Sequence, residues 1–300
     1  MSVDFLTRLV EDVLVMFAPM QTVLLEWGKD QEDHLSDWVL KNPEKYQEAL
    51  IKSFEAGCEM CHTATQASSL FRATPFDQQH RIHELNLKSA QLAREVTPQG
   101  CFVIGNISGS NPDFLEPYGS YTEQFLYDGY KAQILALAEG GVDAFHISGV
   151  QSDTLSVAVR AAKELTGLPV MSFTTYFKGK KGIRTMMGYT PEHASKMVDE
   201  AGADAIGAIC GLWSYEDGVE ILKSMRRGTN KPLGCQPDAG LPDLIDGRTV
   251  YPGTPDDMAL WTPAWIAAGG KLIGGCCGTT IEHYRRLTEV VRQHRQETRR

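Results

Sequence analysis

Three cysteines carry the strongest chemical signal in this sequence. Two are adjacent, in Gly274-Gly275-Cys276-Cys277-Gly278-Thr279-Thr280, where the apolar run Lys271-Leu272-Ile273 meets glycines. The third stands well upstream, in Gly207-Ala208-Ile209-Cys210-Gly211. Thiolates are soft ligands that suit Zn²⁺, and three protein ligands with one open position describe a catalytic site, not a structural one. Three thiolates leave a zinc ion little Lewis acidity to spare for water. The task that fits is to take a thiol at the fourth position, lower its pKa and keep it a nucleophilic thiolate. The residues alone therefore predict alkyl transfer to or from sulfur.

Something must bring these cysteines together. Short apolar, β-prone runs at 13–17, 59–64, 102–108, 144–149, 169–174, 205–210, 233–237 and 271–277 alternate with helix-like stretches. Those stretches cover 46–56, 81–96, 122–139, 153–165, 191–201, 217–225, 256–268 and 281–293. Small-residue connectors recur after the helices: Gly140-Gly141-Val142-Asp143, Gly202-Ala203-Asp204 and Gly269-Gly270. A glycine past a helix end is a C-terminal cap, and its recurrence marks a repeated unit. Eight strand–helix units predict an α/β fold, a (β/α)₈ TIM barrel, as a single domain over 1–300. A doubly wound sheet is the rival, but no Gly-x-Gly-x-x-Gly turn follows the first strand. The polar stretch 178–187 reads as a mobile loop after strand five.

The active face of such a barrel lies at the C-terminal ends of its strands. Cys210 falls at the end of strand six and Cys276 and Cys277 at the end of strand eight. His62 and Thr63 fall near the end of strand two, Asn106 and Ser108 at strand three, His146 and Ser148 at strand four. Thr174 and Tyr176 follow strand five, and Gln236 and Asp238 follow strand seven. His62 and His146 are the candidate general acid or base, with a polar neighbour of the site as the alternative for each. Cys235 reads as core, Cys58 and Cys61 straddle a strand start with no helix after them, and Cys101 reads as structural. Phe17, Phe71, Phe145, Phe173 and Trp213 could wall an apolar pocket, although packing between helices and barrel is the simpler role.

Composition bounds the partners. The net charge of −9 argues against a nucleic-acid surface, and no apolar stretch is long enough to span a membrane. The segment 1–12 lacks a signal-peptide pattern, and 285–300 reads as a solvated final helix. Seven cysteines, an odd number, then predict reduced thiols in the cytoplasm.

The chain resembles the zinc-dependent homocysteine S-methyltransferases, which include the homocysteine domain of cobalamin-dependent methionine synthase and betaine–homocysteine methyltransferase. The resemblance rests on the 274–280 string with Glu282, His283 and Arg285, on Gly202–Gly207 with Cys210, on Ala239-Gly240-Leu241-Pro242, and on Gly140–Asp143. It implies a TIM barrel and a zinc site of Cys210, Cys276 and Cys277. The family's Asp-Gly-x-Met-Gly-Thr opening is here Phe17-Ala18-Pro19-Met20-Gln21-Thr22, and its Glu-Thr at strand four is Ser148-Gly149. Ile209 and Asp238 stand where the family has asparagines. The resemblance gives the two lost acids the task of holding the amino end of homocysteine. Without them an ammonium loses its partners.

These departures separate the methyl transfer from its substrate. Phe17, Asn106, Ser148 and Asp238 are the expected substrate contacts. The favoured expectation is the substrate-side methyltransferase of a corrinoid-dependent demethylation system, with the corrinoid supplied by a partner carrier protein and Phe17 and Phe145 facing an apolar donor. One alternative is a homocysteine S-methyltransferase making methionine, which would hold the amino group with Glu26 or Asp238. A second is a non-catalytic zinc-binding subunit.

Overall fold

The computed structural model describes residues 4–109, 115–150 and 152–299, so Met1–Val3 and Arg300 of the two predicted terminal segments lie outside it. The strands are β1 (Leu14–Phe17), β2 (Met60–His62), β3 (Phe102–Ser108), β4 (Ala144–Gly149), β5 (Val170–Gly179), β6 (Gly182–Arg184), β7 (Ala205–Leu212), β8 (Leu233–Gln236), β9 (Asp243–Ile245), β10 (Arg248–Val250) and β11 (Gly270–Gly274). The helices are α1 (Phe5–Glu11), α2 (Met20–Glu26), α3 (Leu35–Lys41), α4 (Pro43–Glu55), α5 (Leu70–Ala73), α6 (Ile82–Val96), α7 (Glu123–Glu139), α8 (Ser152–Thr166), α9 (Pro191–Glu200), α10 (Tyr215–Gly228), α11 (Pro255–Ala267) and α12 (Ile281–Thr298).

Eight strands run parallel in the order β1-β2-β3-β4-β5-β7-β8-β11 and close where β11 pairs with β1. This is the (β/α)₈ barrel that the alternating runs predict. Side chains on a strand point alternately to opposite faces, and that parity decides what reaches the site. Leu14, Met16, Met60, Ile104, Met171, Phe173, Ile209 and Leu272 fill the barrel. Val15, Phe17, Cys61, Val103, Phe145, Ile147 and Cys235 point outward into the helix layer. At mid-barrel a Cβ on either Gly207 or Gly234 would overlap the Phe173 ring, so two bare positions make room for one large side chain. Helix α1 closes the opposite end, with Phe5 and Leu9 in the interior cluster and the Phe5 ring edge-on to Phe102 at 5.4 Å.

The repeated connector has a local cause. Asp143 Oδ2 accepts from Val103 N at 2.7 Å and from Arg94 at 2.6 Å. Asp204 Oδ2 accepts in the same way from Val170 N at 2.8 Å and Lys163 at 2.9 Å. Each aspartate fastens the start of the preceding strand to the helix that leads into that strand. One carboxylate thereby satisfies a main-chain donor and an ion pair at once.

The segment predicted as a mobile loop at 178–187 is instead largely a hairpin. β5 continues to Gly179 and turns into β6, pairing Lys178 with Ile183. Lys178 Nζ reaches Asp217 on α10 at 2.7 Å. Lysines and glycines mask the alternation there, and only Ile183 and Thr185 are buried. No helix among the described residues is long and apolar enough to cross a membrane.

Candidate metal centre and substrate cavity

Cys210 lies on β7, two residues before its end, and Cys276 and Cys277 lie in the loop just past β11. The fold brings all three to the C-terminal mouth of the barrel. Cys277 Sγ is 3.7 Å from Cys210 Sγ and 3.9 Å from Cys276 Sγ. Four sulfurs around a zinc ion with bonds of about 2.3 Å would be spaced by about 3.8 Å, so these two separations suit the tetrahedron. Cys210 and Cys276 are joined as a disulfide, Cα to Cα 6.0 Å. The two strand ends bring these sulfurs into bonding reach. As thiolates the same residues, with Asp238, place one ligand atom each within 4.8 Å of the others. The donor set therefore fits zinc once reduced.

The backbone around Cys210 is shaped for this placement. Cys210 adopts a left-handed conformation, φ 49°, and Gly211 follows at φ 106°. A side chain at 211 would be strained in φ and would overlap the Tyr176 carbonyl oxygen. Trp213 Nε1 donates to the Cys210 carbonyl. On the other side, Cys276 N donates to Pro237 O at 2.8 Å and Ala239 N to Cys277 O at 2.9 Å, joining the loops after β8 and β11. Tyr284 of α12 sits beneath that loop, its hydroxyl donating to Gly275 O at 2.9 Å.

Asp238 faces the cysteines rather than the cavity. Its Oδ1 accepts from Cys277 N at 3.0 Å. Burial pushes its carboxyl up to about 6, and burial with the neighbouring Asp238 pushes the Cys277 thiol up to about 11. The expected substrate contact at Asp238 is thus corrected to a position behind the sulfurs, because the β8 loop folds back onto the β11 loop.

A cavity of about 260 Å³ opens beside the cysteines. His62, Asn106, Ser108, His146, Ser148, Thr175, Ile209 and all three cysteines line it, with Gln66 and Arg72 towards its rim. The expected His62, Asn106, His146 and Ser148 are all there because each has inward parity. Asn106 is held from behind: its N–H donates to Thr63 Oγ1 at 3.0 Å, and its carbonyl accepts from Thr65 Oγ1 at 2.7 Å. The His62 and His146 rings lie 4.4 Å apart, with Phe173 at 4.7 Å from His146. Both imidazoles are buried; neither ring nitrogen of His62 has a hydrogen-bond partner, and His146 meets the Gln236 side chain. Burial holds His146 down at about 3 and His62 well below its ordinary value, so both rings are neutral.

Phe17 is corrected outright. It is fully buried on the outer face of β1, edge-on to Tyr284 at 5.0 Å, and does not line the cavity. Phe145 turns outward for the same reason of parity. On β5 the inward residue is Thr175, not Thr174 or Tyr176. Glu26 is exposed and away from the cavity. Cys235 packs in the outer core as expected. Sequence reasoning missed Tyr284, Thr175, Gln66 and Arg72. Tyr284 follows the cysteine string by seven residues and could have been found as an aromatic on the first turn of the next helix.

Comparison with known proteins points the same way. The sequence profile of the homocysteine S-methyltransferase family matches residues 18–291. The methionine synthase of Mycobacterium tuberculosis is 30% identical over 250 residues, 79% of this chain and 21% of that protein. The methionine synthase of Mycobacterium leprae is 28% identical over 96% of this chain and 25% of its own length. The chain thus spans a quarter or less of these relatives. Among solved structures, the metallated homocysteine methyltransferase MmuM from Escherichia coli superposes with a TM-score of 0.72 at 22% identity, covering 93% of this chain and 96% of that one. A methyltransferase from Methanosarcina mazei gives 0.61 at 14% identity, covering 97% of both. At these identities the two structures speak for the fold.

Proposed function

The chain belongs to the homocysteine S-methyltransferase family, and from that premise we propose that it is a zinc-dependent methyltransferase acting at the sulfur of a small molecule. The observation that carries this is the convergence of Cys210, Cys276 and Cys277 on one cavity at the barrel mouth. Zinc bound by the three thiolates would supply a soft centre whose fourth position takes a thiol and keeps it a thiolate at neutral pH.

The chain's own residues do the rest. Asp238 holds the Cys277 main chain, and Tyr284 holds Gly275, so the vicinal pair is pre-placed. His62 and His146, both neutral, present ring nitrogens to a polar group of the substrate, and either could move a proton there. Asn106 and Ser148 line the same wall. Ile209 and Phe173 keep the floor of the site apolar and exclude water.

Zinc K-edge X-ray absorption on the reduced protein tests the reading. Three sulfurs and one lighter ligand, becoming four sulfurs on addition of a thiol, is the expected result. A spectrum without sulfur neighbours would overturn it.

A second reading keeps the corrinoid carrier as methyl donor or acceptor. It is favoured by the exposed apolar residues Leu212, just past Cys210 on β7, and Leu244, Ile245 and Val250 in the loop after β8, which joins the cysteine loop through Ala239 and Cys277. The aromatic motive for that reading is gone, since Phe17 and Phe145 face the helices. Methyl exchange with isolated methylcobalamin, with and without the β9–β10 hairpin, would separate the two.

A further inference from the structure

The charge inside the cavity is one-sided. Among the described residues its lining contains no aspartate or glutamate, and apart from the three cysteines its one charged side chain is Arg72. Arg72 is part-buried on α5, and among the described residues its guanidinium has no hydrogen bond or ion pair. Nearby Arg81 differs, being held by Asp37 at 2.5 Å and Glu84 at 2.8 Å. A guanidinium stays charged at every accessible pH and prefers a planar, bidentate oxyanion. Arg72 lines the same cavity as the sulfurs.

The position of Arg72 is set in advance. Ser69 caps α5, its Oγ accepting from Arg72 N at 3.4 Å. The adjacent Phe71 is wedged against Tyr121, Phe125 and Tyr130, with centroids 5.6, 5.6 and 5.3 Å away. Arg72 and Gln66 also line a neighbouring cavity. The carboxylate there, Asp33, is solvent-exposed and makes no ion pair with Arg72.

Deeper in the cavity the polar groups are neutral. His62 and His146 are each 1% exposed, and neither ring nitrogen of His62 has a partner. Such groups await a polar ligand, because leaving them unpaired costs about 1–3 kcal/mol each. They offer no anion to an ammonium. Among the described residues an α-amino acid's ammonium would meet no carboxylate there and would have a guanidinium for company, a mismatch in a partly desolvated space.

We propose that this site selects a small sulfur compound bearing a carboxylate and no ammonium group, with Arg72 pairing the carboxylate while the sulfur lies at the cysteines. The cavity of about 260 Å³ limits the molecule to a few carbons. The proposal rests on the sulfur reading above and narrows it to a mercapto-carboxylate or its methyl thioether. Arg72 acts as the specificity-determining residue.

Four thiols of matched length test it: L-homocysteine, 4-mercaptobutanoate (the same molecule without its amino group), 3-aminopropanethiol (without its carboxylate) and propanethiol (without both). Each is titrated by calorimetry into zinc-loaded wild-type protein and the Arg72→Met and Arg72→Lys variants, with zinc content measured throughout. The expected result is that 4-mercaptobutanoate binds at least tenfold tighter than L-homocysteine, with 3-aminopropanethiol weakest. Arg72→Met should lose at least tenfold for 4-mercaptobutanoate while leaving propanethiol binding and zinc content unchanged. Arg72→Lys should recover part of the loss. If propanethiol binds but homocysteine outcompetes its deamino analogue, or Arg72→Met leaves their ratio unmoved, this proposal falls and the sulfur reading stands. If no thiol binds, both fall.

Discussion

The Tyr284 hydroxyl and the Gly275 peptide are bonded to each other twice. The hydroxyl donates to Gly275 O at 2.9 Å and accepts from Gly275 N at 3.0 Å. It also lies 3.4 Å from Ala18 N, at the end of β1. One buried oxygen thus fixes the residue before Cys276 and ties the last barrel strand to the first. Tyr284→Phe keeps the ring but strands a buried N–H and C=O. It should cost about 1–3 kcal/mol of stability and weaken zinc binding by loosening the vicinal pair. Urea denaturation and competition with a chromophoric chelator would measure the two effects.

The three cysteines should behave as one set and the others as a separate one. Serine at 210, 276 or 277 should lower zinc affinity by well over tenfold and remove thiol binding. Cys235→Ala should leave zinc stoichiometry at the wild-type value and cost about 1 kcal/mol of packing, since the thiol points into the outer core. Metal analysis after dialysis against a weak chelator distinguishes the groups. A Cys235 variant that lost its metal would move the ligand set.

Gly211 carries a steric constraint that sequence inspection understates. With φ at 106° and the Tyr176 carbonyl against its Cα, Gly211→Ala should destabilise the fold by about 2 kcal/mol or more. It should also disturb Cys210, whose own left-handed backbone depends on this turn. A lowered melting temperature together with reduced metal affinity is expected. Gly179→Ala, where nothing stands in the way, serves as the matched control.

Stability should fall with acidity through the histidine pair. Burial depresses both folded pKa values, His146 to about 3 and His62 well below 6.5. Below about pH 6.5 the unfolded chain therefore takes up protons that the folded chain refuses. The contribution is fully present above that pH and is lost as the pH falls towards 3. Each histidine contributes a slope of about 1.4 kcal/mol per pH unit within that window. Denaturation midpoints at pH 7, 6 and 5 should decline in the wild type and decline less steeply in a His62→Gln/His146→Gln double variant. Equal slopes would mean that neither ring is excluded from protonation.

Much of the fold was legible because each barrel strand is a short apolar run set off by a glycine-closed helix end. The aspartates at 143 and 204 repeat because they make the same bonds. Site residues were legible where inward parity was right, as for His62, Asn106 and His146. Parity also produced the errors: Phe17 was placed by analogy with a lost acid, yet it follows inward-facing Met16 and must face out. On β5 a shift of one residue named Thr174 and Tyr176 in place of Thr175. Arg72 escaped because a four-residue helix between barrel units leaves no periodic signal, and its isolation from carboxylates is visible only in three dimensions. The α1 plug and the two hairpins were missed for the same want of period.

The seam of the barrel gives the site a sense of timing. β11 lies between β8 and β1, and the cysteines that follow it are separated by 66 residues from their counterpart on β7. No fragment lacking the final unit contains the full ligand set, and an intact chain assembles it only when β11 docks beside β8 and β7. Capture of a metal would therefore act as a completion signal, silent in every form without the docked last strand and available only once that strand is in place.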